Sequence, residues 1–345
     1  MTSTRNGHRV SITMRDVGNL AGVSQSTVSR VLNPTPTTAV SISEKTKQSV
    51  FDAVKQLGYH PNLAAQSLRG QKTMLIAMMI ADILNPYYQL MVRAVQDVAR
   101  KHNYDVLIAN SDHDREYEQH FLLGIMRRPV DGVILTPYHT SAEDIDKLID
   151  RTGASVAVLG SHIEHPLVDT VSSGGGRATY DAARWLIRER HHRKLAYVTV
   201  PGGGPGAHRL EQFMRAMKAA KLPVPREYVV DAEFTCESGE QAMRKLLSLP
   251  SPPTAVMACN DQIALGCLKA ADAMGFEVPG DVAIVGFDNI PETTLVTPRL
   301  TTIAQFPQKM GEMLTNGLFE RVGGTYTGPA RHFQVSSKLI VREST

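Results

Sequence analysis

Cysteine is scarce in this chain. Cys236, Cys259 and Cys267 are its three, and they show no metal-ligand spacing. They read as small buried apolar groups rather than as a disulfide framework. Long apolar runs are missing too: the best, Met74 to Ile83, is too short to cross a bilayer and contains Asp82. The N-terminus is polar and lacks a signal-peptide core, which predicts a cytoplasmic protein with no membrane partner. No G-K-[ST] phosphate loop occurs, and GGGPG, Gly202 to Gly206, has the wrong spacing for a dinucleotide fingerprint. SDHD and RERHHRK bring histidines together without companion ligands, so they read as solvated surface, with no metal and no cofactor expected. These absences weigh against an enzyme and against an exported transport protein.

What is present is ordinary in amount and uneven in placement. The 345 residues suggest two or three domains, and 42% hydrophobic with 21% charged residues is usual for a globular chain. The net charge of +3 hides an asymmetry. Up to Lys72 there are nine Lys and Arg against three acids, a net +6, which leaves −3 for the remainder. A basic head on a mildly acidic body is the footprint of a nucleic-acid-binding head.

Thr13 to Asn33 supports that reading. Thr13 can cap a helix with Asp16 at its third position, and Val17, Leu20 and Ala21 place apolar groups on one face. Gly22 ends it, and Ser24 caps a second helix from about Gln25 to Leu32. Val28, Val31 and Leu32 face inward, while Gln25, Ser26, Ser29 and Arg30 form a polar face of short or forked side chains. This is the outline of a helix-turn-helix whose second helix suits a DNA major groove; the plain alternative is a helical hairpin in a core. Pro34 and Pro36 stop the second helix, and Ser43 caps a third that ends near Leu57. The segment after Tyr59 offers a short Ala-rich helix with too few apolar groups to fold alone, so it needs a second copy or DNA.

From Met74 apolar runs alternate with helical segments, from strand Leu75–Ile80 and helix Tyr87–Lys101 through to strand Val282–Gly286. Among them are a helix from Arg209 to Ala219 and a strand from Tyr228 to Val230. This alternation predicts two doubly wound parallel-sheet halves, with a pocket in the cleft between them.

At this level of detail the chain resembles the lactose-repressor (LacI/GalR-type) family of transcription factors. The resemblance rests on MRDVGNLAGVSQSTVSRVLN, YHPNLAAQSLRG, IADILNPYY, RRPVDGVIL, HRLEQF, TAVMACNDQIALG, VAIVGFDN and PRLTTIAQ, all in the family's order. It implies a periplasmic-binding-protein-like α/β body behind an all-α helix-turn-helix head and hinge helix. The expected division is a disordered tail (1–12), the head (13–60), the hinge (61–73) and an effector-binding and dimerisation body (74–345). Its halves would be about 74–171 plus 306–322, and 172–305 plus 323–345. The implied function is a homodimeric repressor on a pseudo-palindromic double-stranded DNA operator, in the cytoplasm at the bacterial nucleoid. A small effector, a sugar or its derivative, would control operator binding, with a nucleobase or a phosphorylated partner protein as alternatives.

By match to the family signature, Gln25, Ser26 and Arg30 are the base-reading candidates, and forks of this kind suit adenine and guanine edges. Ser24, Thr27, Ser29 and Asn33 read as phosphate contacts or caps. In the hinge, Leu68 matches the leucine that wedges into the minor groove, with Asn62, Ala65 and Arg69 around it; dimer core is the alternative for Leu68. Arg209, Asn260 and Asp288 match effector-binding positions, and an Arg fork, an amide and a carboxylate suit adjacent hydroxyls. Tyr87, Tyr88 and Phe234 can offer apolar faces, and Gln305 matches a further cleft position, although Tyr88 and Gln305 taken singly read as core or surface. The sequence departs from the family pattern at Gly160, at SSGGG (Ser172 to Gly176), at GGGPG and in a longer loop after Asn33. The glycine-rich departures leave room for a larger ligand, or for backbone amides that meet an anion.

Overall fold

The structure, a computed structural model, describes residues 12–32, 42–59, 72–202 and 204–345, in two compact units, Met1–Thr73 and Met74–Thr345. Among the described residues no helix is long and apolar enough to cross a membrane.

The first unit carries α1 (Met14–Ala21), α2 (Gln25–Leu32) and α3 (Glu44–Leu57). The Thr13 backbone N–H donates to Asp16 Oδ2 at 2.8 Å, and Asp16 N–H donates back to Thr13 Oγ1 at 3.4 Å, a reciprocal cap. Gly22 takes φ 68°, the left-handed turn that lets α1 give way to α2. Val17, Val28, Val31, Val50, Ala53 and Tyr59 form the core. Leu20, expected on the apolar face with Val17, is instead 44% exposed. Its position, three residues after Val17, lies at the edge of a stripe that one short helix cannot fully cover.

In the second unit β1 (Leu75–Ile80) pairs in parallel with β2 (Asp105–Asn110) and β3 (Gly132–Leu135). Its residues Ile76 to Ile80 are fully buried, as a central parallel strand requires. Ile76, Met78 and Ile80 pack against α4 (Pro86–Lys101) and α11 (Pro307–Val322); Ala77 and Met79 face α5 (Arg115–Ile125) and α6 (Ala142–Thr152). β4 (Ser155–Leu159), β5 (Asp169–Ser172) and β11 (His332–Gln334) extend this sheet, whose order is β11-β5-β4-β3-β1-β2.

The second sheet has the order β12-β10-β9-β8-β6-β7. Its strands are β6 (Leu195–Thr199), β7 (Val229–Asp231), β8 (Ala255–Ala258), β9 (Ala283–Asp288), β10 (Thr301–Ala304) and β12 (Lys338–Ile340). Its helices are α7 (Gly175–Arg188), α8 (Gly204–Ala219), α9 (Cys236–Leu247) and α10 (Asp261–Ala273). α9 and α10 cross almost backbone to backbone: a Cβ on Gly266 would lie 2.0 Å from the Cys236 carbonyl oxygen, and one on Gly239 2.2 Å from that of Ile263. All pairings are parallel except β12 against β10.

Several boundaries differ from the sequence reading. α8 begins five residues before Arg209, because the glycine-rich stretch, with Pro205 in the first turn, is helical from Gly204. β7 follows a one-turn helix at Arg226–Tyr228 instead of starting at Tyr228. The last strands do not both join the second sheet. β11 (His332–Gln334) pairs with β5 in the first, and only β12 reaches the second. The reason lies just before β11: Arg331 donates from Nη2 (2.6 Å) and Nε (3.1 Å) to Asp169 Oδ2 and from its backbone N–H to Oδ1 (2.9 Å). Asp169 is 2% exposed and also accepts from Arg321 of α11 at 2.6 Å. A buried carboxylate at the start of β5 thus fixes where the chain lands.

Candidate functional site

Ser24, just before α2, and Gln25 and Ser26 on it are exposed, while Thr27, Ser29 and Arg30 are half-buried beside Val28, which is fully buried. Ser24 Oγ accepts from Thr27 N–H at 3.1 Å and lies 2.8 Å from Ser26 Oγ and 2.9 Å from Thr27 Oγ1. The hydroxyls therefore form one cluster at the amino end of α2, where partial positive charge favours an anion. Gln25 and Arg30 stand at the two ends of the same helix, five positions apart. Asn33, Asn62, Ala65, Leu68 and Arg69 lie outside the described residues.

In the second unit the carboxyl ends of both sheets face one cavity of about 670 Å³. All seven expected residues line it: Tyr87, Tyr88, Arg209, Phe234, Asn260, Asp288 and Gln305. Tyr87 and Tyr88 come from the first turn of α4, held there because Asn85 Oδ1 accepts from Tyr87 N–H at 3.0 Å. Asn260 follows β8 and caps α10 by accepting from Ile263 N–H at 2.9 Å. Its Nδ2 is buried and, among the described residues, has no partner. Asp288 ends β9 at φ 122°, and Gln305, just after β10, donates from Nε2 to its Oδ1 at 2.5 Å.

Arg209 is 8% exposed, donates from Nη1 to the Cys259 carbonyl at 2.6 Å, and lies over the Phe287 ring at 3.5 Å. Stacked and anchored on one side, the guanidinium keeps its remaining N–H groups aligned. Burial pushes the Asp288 carboxyl well above the usual range, with Arg209 opposing and Asp261 reinforcing the shift. Asp261 is raised the same way by burial and accepts from Thr302 Oγ1 (2.5 Å) and Ile290 N–H (2.9 Å), which ties α10 to the turn after Asp288. The set offers a fork, an amide and a carboxyl that can donate or accept, all at strand ends or helix starts.

Sequence reasoning missed an aromatic group on the same cavity. His113, part of the SDHD stretch read as solvated surface, stacks on Phe234 with centroids 4.7 Å apart at 23°. It also meets Tyr138 edge-on at 4.6 Å, and the Tyr138 hydroxyl lies 3.3 Å from that of Tyr88. Burial pushes the His113 imidazole below its ordinary value, which favours the neutral ring. Tyr138 is placed by Glu118, a fully buried carboxylate that accepts from the backbone N–H groups of Tyr138 (2.7 Å), His139 (3.1 Å) and Thr140 (2.7 Å). Tyr138 lies three residues after the end of strand β3 and Asn260 two after the end of β8, so the rule that flagged Asn260 would have found it. His113 needed the fold, since two positive-φ residues, Asp112 and His113, turn it inward.

Comparison with known proteins agrees with this architecture. A model of bacterial regulatory proteins of the lacI family matches residues 13–62, and one of periplasmic binding protein-like domains matches residues 186–345. Catabolite control protein A of Priestia megaterium is 32% identical over 339 residues, 97% of this chain and all of that protein. The transcriptional regulator CelR in complex with cellobiose superposes with a TM-score of 0.71 at 28% identity, over 97% of this chain and 100% of that one. The lac repressor dimer bound to operator and anti-inducer shares the fold, with a TM-score of 0.81 at 23% identity over 97% and 99% of the two chains. A basic three-helix head and a two-sheet body with a lined cleft therefore go with relatives matched end to end, and the chain belongs to the lacI family of bacterial regulatory proteins.

Proposed function

We propose that the chain is a homodimeric regulator of transcription that binds an operator through α2 and is controlled by a sugar or sugar derivative in the cleft. One observation carries the effector half of this reading: Arg209, Asn260 and Asp288, from three separate elements, converge on a single cavity with Tyr87, Tyr88 and Phe234. Hydroxyls arranged around a ring need donors and acceptors at their edges and apolar surface against the ring's CH groups, and this set has side chains of both kinds. The CelR neighbour with cellobiose supports a carbohydrate as the ligand class. In the head, Gln25, Ser26 and Arg30 are the base readers and Ser24, Thr27 and Ser29 the phosphate contacts; Asn33, Asn62, Ala65, Leu68 and Arg69 keep the roles that the family resemblance implies.

A specific observation favours a second ligand class. The stacked rings of His113 and Phe234 present flat faces that suit a nucleobase as well as a sugar.

The test pairs two measurements on the full chain. A mobility shift with DNA from its own upstream region should show sequence-dependent binding at fixed salt. A thermal-shift screen of sugars, polyols and nucleobases should find a ligand: a binder at 100 times its dissociation constant adds about 2.7 kcal/mol. Binding that depends on salt but not on sequence would leave a nonspecific DNA binder, and robust turnover of any screened compound would replace the regulator with an enzyme.

A further inference from the structure

Two helices begin on the wall of the cleft. α7 starts at Gly175 with no side-chain cap, and the residues before it, Ser173 and Gly174, line the cavity. α8 starts at Gly204, which also lines it. The two amino ends lie side by side, because a Cβ on Gly176 would fall 2.2 Å from His208 Nε2. They also converge on Arg209. A Cβ on Gly175 would lie 2.7 Å from the edge of the Phe287 ring, whose face carries the Arg209 guanidinium at 3.5 Å. The first N–H groups of a helix have no partner within it, so each end presents unsatisfied donors and partial positive charge.

Two independent observations say that this end of the cavity is built for a ligand. Asn260 is 2% exposed, lines the same cavity, and keeps a buried Nδ2 donor with no partner among the described residues. An unpaired buried amide costs stability, so its retention points to a ligand acceptor. The charge balance points the same way. The segment after Lys72 carries −3, yet the described lining holds two arginines, Arg209 and Arg177 (the latter paired with Asp181 at 2.8 Å), against a single acid, Asp288.

We propose that the effector carries an anionic group, a phosphoryl ester or a carboxylate, seated against the amino ends of α7 and α8. Arg209 and Asn260 Nδ2 are its side-chain donors, and the hydroxyls of the same ligand face Asp288. This rests on the reading of the cleft as the effector site.

The experiment uses the full chain and isothermal titration with matched probes: ribose and ribose 5-phosphate, glucose and glucose 6-phosphate, glucose and glucuronate, and orthophosphate alone. In at least one pair the charged member should bind about tenfold or more tightly than its neutral parent, and orthophosphate should compete with it. The phosphate and glucuronate arms separate the two sources of charge. Ser173→Asp places a carboxylate at the start of α7 and should remove the preference for the charged member, while Ser173→Ala should keep it; circular dichroism checks that both fold. A neutral parent that binds as well as its charged partner overturns the anionic group and leaves the cleft reading standing. A preference that survives Ser173→Asp also overturns the proposed seat. No binding by any member of any pair, with or without charge, counts against both readings.

Discussion

Asp288 is a buried acid in the cleft wall, and its burial is a cost to the fold. It is 5% exposed, and burial holds its carboxyl well above the value of a free aspartate, at about 8. An acid whose folded-state pKa lies above its unfolded one binds its proton more tightly in the folded chain. Its contribution to stability is therefore complete below about pH 4, the unfolded value, and drains away as pH rises towards 8. Asp288→Asn removes that titration while keeping the shape. The variant should melt at a higher temperature than the wild type at pH 8, with the gap narrowing at pH 5, and should bind any cleft ligand at least about tenfold more weakly. Thermal melts at the two pH values and one titration decide it: a gap of the same size at both pH values would mean that Asp288 is charged when buried. In the head, Arg30→Ala should cost about 1–3 kcal/mol of operator affinity and relax the sequence preference at one base pair of each half-site. Binding to scrambled sites of the same length measures that; an equal loss on every sequence would make Arg30 a phosphate contact.

Among the elements, α9 and α10 depend on their glycines. Gly266 and Gly239 let the two helices touch backbone to backbone, and a Cβ on Gly266 would sit 2.0 Å from the Cys236 carbonyl oxygen. Gly266→Ala should therefore destabilise the body by about 1–3 kcal/mol or more, because backbone cannot move aside as a flexible side chain does. It should also weaken ligand binding, since Asn260 caps α10 and the chain just before α9 carries Phe234. Urea melts and a ligand titration test this, and a variant with wild-type stability would show that the helices can part without cost. The same scale explains what could be read from the sequence. Leu75–Ile80 and Ala255–Ala258 were legible because buried parallel strands are unbroken apolar runs between turns. Asp169–Ser172 and Thr301–Ala304 were not, being four residues each, polar or Thr-rich, and strands only because neighbours on both sides bond them. β11 was misplaced because its partner is chosen by an Arg331–Asp169 contact that spans 162 residues, which local pattern cannot reveal. In the site, Arg209, Asn260 and Asp288 stood out by motif, whereas His113 and Glu118 act through a turn and a buried bond that only the fold supplies.

At the scale of the whole chain, a reader of DNA and a lined cleft lie on separate units, and regulation requires that one bias the other. An effector can shift operator affinity only by as much as its own affinity differs between the two states, which for coupled sites is typically about 5–150-fold. The cleft is placed for such a difference, because its walls come from two sheets joined at 172–175, 304–307 and 334–338, so any change in the angle between the sheets would reshape it. The two-sheet architecture also explains why the third crossing matters: β11 and β12 sit in different sheets, which ties the C-terminal segment to both.

The account's central claim is that occupancy of the cleft sets the grip of the head. The most direct measurement is fluorescence anisotropy of an operator from the protein's own upstream region, at one salt concentration, with and without a saturating cleft ligand, for the wild type and Arg209→Ala. The account predicts that the ligand changes wild-type operator affinity by about fivefold or more, and that Arg209→Ala binds the operator like the ligand-free wild type whether or not the ligand is present. A ligand that saturates the wild-type cleft and leaves operator affinity unchanged would contradict it.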